Sequence, residues 1–229
     1  MVEKENDKKN KTNKEVIDVL KWFSDAGVSD ISVDINTVQR AAKQSINTLA
    51  ELKEAMRKVE ISIKDCALNM VFGVGNEHAD ILLLGEAPGA EEDRQGIPFV
   101  GQSGQLLDKI LAAVGLDRTK VYITNILPWR PPGNRTPTLQ EITLFRPYVI
   151  KHISLVNPKI VVCLGGTATK ALLQTTQTMT QLRGRWSRIE EISAVILPTF
   201  HPAYLLRSPS QKREAWLDFL TVKNKASAA

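Results

Sequence analysis

Cysteine, histidine and aromatic residues are scarce in this chain. The two cysteines, Cys66 and Cys163, lie far apart, and Cys163 falls inside the apolar run Ile160-Val161-Val162-Cys163-Leu164. That placement argues against a disulfide and for a buried thiol in a reducing cytoplasm. No apolar stretch approaches transmembrane length, and the N-terminus has none long enough for a signal peptide. Its acidic residues argue against an organellar transit peptide, so a cytoplasmic protein without a membrane partner is expected. A strong excess of one charge is also missing. The formal charge is +5 and the pI about 9.2, but residues 1–14 hold five lysines against Glu3, Glu5 and Asp7, contributing +2 and leaving +3 for the rest. Such a balance permits a polyanionic partner without requiring one. Internal repeats and the Walker and dinucleotide fingerprints are absent as well.

What is present is an ordinary globular composition. With 229 residues, 43% of them hydrophobic, the chain can bury one full core. Residues 1–14 are polar and lysine-rich and read as a disordered basic tail. Residues 15–60 read as a helical extension, with Val16, Val19, Leu20 and Phe23 at helical spacing, a linker over residues 29–37, and a second helix marked by Leu49, Leu52, Met56 and Val59. Residues 61–229 form the expected catalytic domain, and a monomer is expected.

From Asp80 onward strands and helices alternate. The runs 81–84, 121–124, 160–164 and 194–197 read as strands, and segments 102–114, 138–155, 166–174 and 210–222 as helices, with residues 174–181 as a surface loop. The pattern predicts an α/β fold, a three-layer sandwich with a central four-stranded parallel sheet and helices on both faces. Each strand ends in chemically pointed residues. The first enters Gly85-Glu86-Ala87-Pro88-Gly89, and the second gives Asn125, followed by Arg130-Pro131-Pro132-Gly133-Asn134-Arg135. The third gives Gly165-Gly166-Thr167, and the fourth Thr199-Phe200-His201-Pro202. In a parallel sheet these ends point the same way, so Glu86, Asn125, Gly165 and His201 should converge on one crevice.

The residue types suggest cleavage beside a planar heterocycle. Asn125 offers a fixed donor and acceptor for the edge of a base, and Phe99 can stack on a ring. His201 can donate to an oxygen that gains negative charge, and Glu86 could orient water or stabilise a cationic sugar. Plainer roles compete with each of these. Asn125 could be a turn residue, Phe99 core, Glu86 a helix cap, and Glu91-Glu92-Asp93 a solvated cluster.

Taken together, the motifs resemble the uracil-DNA glycosylase superfamily, family 4 type. The matching words are Gly85-Glu86-Ala87-Pro88-Gly89 with Glu92-Asp93, Gly96-Ile97-Pro98-Phe99-Val100-Gly101, Thr124-Asn125, the 130–135 segment, and His201-Pro202-Ala203-Tyr204-Leu205-Leu206-Arg207. The likeness runs from about residue 71 to 222. It implies a DNA repair hydrolase that flips deoxyuridine out of single- or double-stranded DNA and cuts its N-glycosidic bond, leaving an abasic site. By the same resemblance Phe99 would stack on the uracil, Asn125 would read its polar edge, and His201 would stabilise the departing base. Gly85, Glu86 and Ala87 would line the pocket, with Glu86 a further catalytic candidate. Leu205 would enter the duplex, and Arg207, Arg130 and Arg135 would contact DNA, with Arg183 and Arg185 as further phosphate neighbours.

Two departures from the family pattern stand out. Family 4 holds a four-iron, four-sulfur cluster on four cysteines, and the corresponding positions here read Cys66, Asn69, Trp129 and Phe145. One thiol cannot hold that cluster, so no metal and no cofactor is expected. Relatives in other families place a water-activating Asp where Ala87 stands, which leaves the general base unassigned. Two alternatives are a uracil-DNA binding protein that traps its product without turnover, and a glycosylase for another deaminated base. Relatives of the trapping type carry a His-bearing insertion after the second-strand Asn that this chain lacks.

Overall fold

The computed structural model describes residues 46–228. The basic tail, the first predicted helix and the linker lie outside the described residues. The helices are α1 (Leu49–Arg57), α2 (Ala90–Gln95), α3 (Gln102–Ala113), α4 (Leu139–Val156), α5 (Gly166–Leu173), α6 (Met179–Leu182), α7 (Pro202–Arg207) and α8 (Lys212–Ser227).

Four strands are parallel as predicted, β2 (Ile81–Gly85), β3 (Tyr122–Asn125), β4 (Ile160–Leu164) and β5 (Val195–Thr199). The expected four-stranded sheet is corrected to five by β1 (Val74–Gly75), which pairs antiparallel to β3 and gives the order β1-β3-β2-β4-β5. Two residues, one of them glycine, offer no alternation from which to read a strand.

Side-chain alternation divides the core. Leu82, Leu84, Val161, Cys163 and Ile196 face one side with α1, α4 and α5. Ile81, Leu83, Val162, Leu164 and Leu197 face the other with α3, α7 and α8. Successive strand residues point to opposite faces, and a sheet buried on both faces reads as an unbroken apolar run. This is the three-layer sandwich.

Helix α1 packs on the domain core. Leu52 and Met56 of α1 are buried in the same core as Trp129 and Phe145. Thr48 Oγ1 accepts from Glu51 N at 3.1 Å while Glu51 Oε2 accepts from Thr48 N at 3.2 Å, so a capping box fixes the start of α1. An amphipathic helix needs a partner surface, and α1 finds it on α4. The predicted loop over 174–181 ends in α6, and the short helices α2 and α7 were also missed, since one or two turns give too few positions for a period. Among the described residues no helix is long and apolar enough to cross a membrane.

The register aligns the strand ends. Gly85 pairs with Asn125, Leu164 pairs with Thr199, and Gly165 N donates to Thr199 O at 2.8 Å. The four chemically pointed segments therefore leave the sheet on one edge.

Candidate active site

The floor of the crevice is built by steric exclusion. A Cβ added at Gly85 would lie 2.2 Å from Asn125 Oδ1 and 2.7 Å from the Phe99 ring, so only glycine lets these two side chains meet. Gly165 plays the same part beneath the histidine. It has φ +93°, and a Cβ there would lie 2.9 Å from His201 Cβ.

Asn125 is 4% exposed, and its Oδ1 is a buried side-chain oxygen without a hydrogen-bond partner among the described residues. An orphan of this kind costs about 1–3 kcal/mol. Buried polar groups are seldom left so, and here the oxygen lies across Gly85 from the Phe99 ring.

The Phe99 and His201 rings are 5.6 Å apart at an interplanar angle of 37°. His201 caps the N-terminus of α7, its Nδ1 accepting from Ala203 N at 3.1 Å. With Nδ1 used as acceptor, the proton of the neutral ring belongs on Nε2, which is then a donor. Burial, reinforced by the charge of Arg207 and opposed by Glu92, pushes the imidazole down to about 4. The ring is therefore neutral near pH 7. The other two histidines serve elsewhere: His78 is exposed, and His152 is buried under a stacked Phe72 ring at 4.4 Å.

Glu86 is half-buried, and burial raises its carboxyl above the ordinary range while a hydrogen bond from Thr167 opposes the rise. Ala87 packs beside it against the core. Gly85 O and Glu86 O accept from Ile126 N and Leu127 N at 2.9 and 3.1 Å, locking this loop to the chain that follows Asn125.

The Glu91-Glu92-Asp93 cluster is not uniformly solvated. Glu91 is exposed and pairs with Arg94 at 2.7 Å. Glu92 instead accepts from Gly89 N at 3.1 Å, Val100 N at 2.9 Å and Gly101 N at 2.8 Å, tying both halves of the pocket wall together. Asp93 is 1% exposed and accepts from the backbone N–H groups of Leu68 and Asn69. Their spacing as the first turn of α2 was the available signal.

The expected DNA contacts are placed unevenly. Leu205, expected to enter a duplex, is 0% exposed and lies in the core with Leu107 and Phe219. Leu206, 41% exposed, is the leucine of α7 that reaches solvent, because successive helical residues point about 100° apart. Arg207 is exposed beside His201. Arg130 donates from Nε to Asn134 Oδ1 at 2.6 Å. Arg135 donates to both Glu141 oxygens, at 2.8 and 2.6 Å, and Arg183 pairs with Asp218 and Glu214 at 2.8 and 2.9 Å. Arg185 is exposed.

Three of the four positions suited to a metal in the family pattern hold something other than cysteine. Trp129 and Phe145 are buried and meet edge to face at 5.7 Å, with Lys64 Nζ 5.1 Å from the Trp129 ring. The Asn69 side chain donates to Asp93 O at 2.7 Å, and Cys66 is exposed and unpaired. Trp129 and Phe145 thus make an apolar contact and Asn69 an amide hydrogen bond, and Cys66 is the one thiol among the four positions.

Residues 72–220 match the model of the uracil DNA glycosylase superfamily. A type-4 uracil-DNA glycosylase of Archaeoglobus fulgidus is 37% identical over 186 residues, covering 75% of this chain and 91% of that protein. One of Thermotoga maritima is 38% identical over 170 residues, covering 70% and 88%. A type-5 uracil-DNA glycosylase of Pyrobaculum aerophilum is 28% identical over 146 residues, covering 57% and 64%.

Proposed function

The chain belongs to the uracil DNA glycosylase superfamily, and from that premise we propose that it is a DNA repair hydrolase releasing uracil from DNA and leaving an abasic site. The observation that carries the reading is the orphaned Oδ1 of Asn125 beside the Phe99 ring. An acceptor buried without a donor fits the N3–H of uracil, and the amide nitrogen of the same side chain can donate to O4. Such a base must first leave the duplex, and Phe99 supplies its stacking surface. As the bond between C1′ and N1 breaks, its electron pair moves onto the base, and Nε2–H of His201 donates to the oxygen that gains charge. Water then bonds to C1′ and loses a proton. Glu86, half-buried on the same loop, supplies a carboxylate for orienting that water, and Ala87 offers no group for it. Exposed Leu206 is suited to fill the gap in the duplex, with Arg207 beside it for a phosphate. The reading includes action as a monomer, and the free thiols Cys66 and Cys163 suit a reducing cytoplasm.

The test is release of free uracil from single- and double-stranded oligonucleotides under multiple turnover. Release with turnover supports the reading. An adduct with DNA that survives SDS, without turnover, would favour a trapping protein, and release of hypoxanthine or xanthine alone would favour another base.

The same reading holds no iron-sulfur cluster. Cluster irons call for thiolates, which Trp129 and Phe145 cannot supply, and their buried ring contact fills the space instead. The purified protein is expected to be colourless and to contain no stoichiometric iron by metal analysis. A brown preparation whose iron persists after tag removal would overturn this.

A further inference from the structure

Phe99 is held in a conformation that an aromatic residue does not choose. Its φ is +56°, and the other non-glycine residues with positive φ among the described residues, Asn134, Asn157 and Gln174, are polar. A bulky side chain there costs about 1–3 kcal/mol and persists only when its surroundings over-determine it. The surroundings are visible on both sides of the turn. Glu92 takes the N–H groups of Val100 and Gly101. From the loop between α3 and β3, Arg118 donates from Nη1 to Pro98 O at 3.0 Å and from Nη2 to Phe99 O, while its Nε donates to Asp108 Oδ1 at 2.8 Å. The Phe99 carbonyl also rests on Gly104, where an added Cβ would lie 1.8 Å from it.

We propose that Arg118 is a positioning residue for the base-stacking platform, its fork spanning two successive carbonyls to hold Phe99 in the left-handed turn, with Asp108 aiming the fork. This rests on the uracil-releasing reading above. Arg118 does not touch the base, and its guanidinium edges are committed to protein acceptors, so it acts through the Phe99 ring and not through a phosphate. Lysine, a point charge without the planar fork, cannot replace it.

A double-mutant cycle tests the proposal, using single-turnover uracil release by the full chain. Arg118→Ala and Arg118→Lys are each expected to slow release about tenfold, the scale of a misplaced contact. In a Phe99→Ala background neither should cause further loss. Asp108→Asn, which keeps the fold's shape, is expected to slow release a few-fold in the parent and not at all in the Phe99→Ala background, and serves if the Arg118 variants do not fold. Equal proportional losses in both backgrounds would overturn the proposal, as would an Arg118→Lys variant with full activity. A salt dependence of DNA binding that weakens in Arg118→Ala would also overturn it, by marking Arg118 as a phosphate contact. If the parent releases no uracil, the functional reading fails instead.

Discussion

His201→Ala is expected to slow single-turnover release of uracil by about 10²–10³-fold, the loss that follows removal of one preorganised donor to a developing oxyanion. The reason lies in how the ring is held. Ala203 N occupies Nδ1, so the imidazole cannot turn without losing a bond, and Nε2 stays a donor on a ring 5.6 Å from that of Phe99. Burial pushes the ring down to about 4, well below the ordinary imidazole value of 6.5, so it stays neutral through the physiological range. The pH–rate profile should accordingly show no His201 inflection near 6.5. Glu86→Ala is expected to cost less, because a strong base contributes little when departure of the base is far advanced in the transition state. Activity of His201→Ala equal to the parent would refute the scheme.

Asn125→Ala is expected to slow release by about 10²-fold or more, since it removes both polar contacts to the base edge, each worth about 0.5–1.5 kcal/mol, and strands the base's own donor in a buried site. Its effect on folding should run the other way. The parent already bears an unpartnered Oδ1, so truncation removes that penalty while opening only a small cavity against Gly85. Melting temperatures measured alongside the rates should therefore stay within a few degrees of the parent. A large fall in melting temperature that tracks the fall in rate would mean that Asn125 serves the scaffold and not the substrate.

The contrast between these two residues and Arg118 shows what a sequence makes legible. Asn125 and His201 terminate apolar runs, and a parallel sheet sends such termini to one edge, so their convergence could be read from order alone. Arg118 lies in a connection, and nothing in its neighbours announces that its fork reaches back to Pro98 and Phe99. The same limit applies to Leu205 and Leu206, adjacent letters of one motif that a single helical step sends to core and to solvent. It also explains α1, whose periodicity was plain but whose partner surface on α4 was not. The two-residue strand β1 fell below any period. Spacing within an element is written in the chain, whereas the choice of partner is made by packing.

The alignment of the strand ends also bears on when in its own synthesis the chain becomes competent. Gly85 and Asn125 pair early in the order of emergence, but His201 follows the last strand, and that strand is edged onto β4 and backed by α8 from the C-terminal end of the chain. Contacts so distant along the chain close late, because loop-closure entropy must be met first. A nascent chain thus presents the residues proposed to read the base before the one proposed to make it leave. Under the proposed scheme, competence to release uracil waits for α8 to back the last strand.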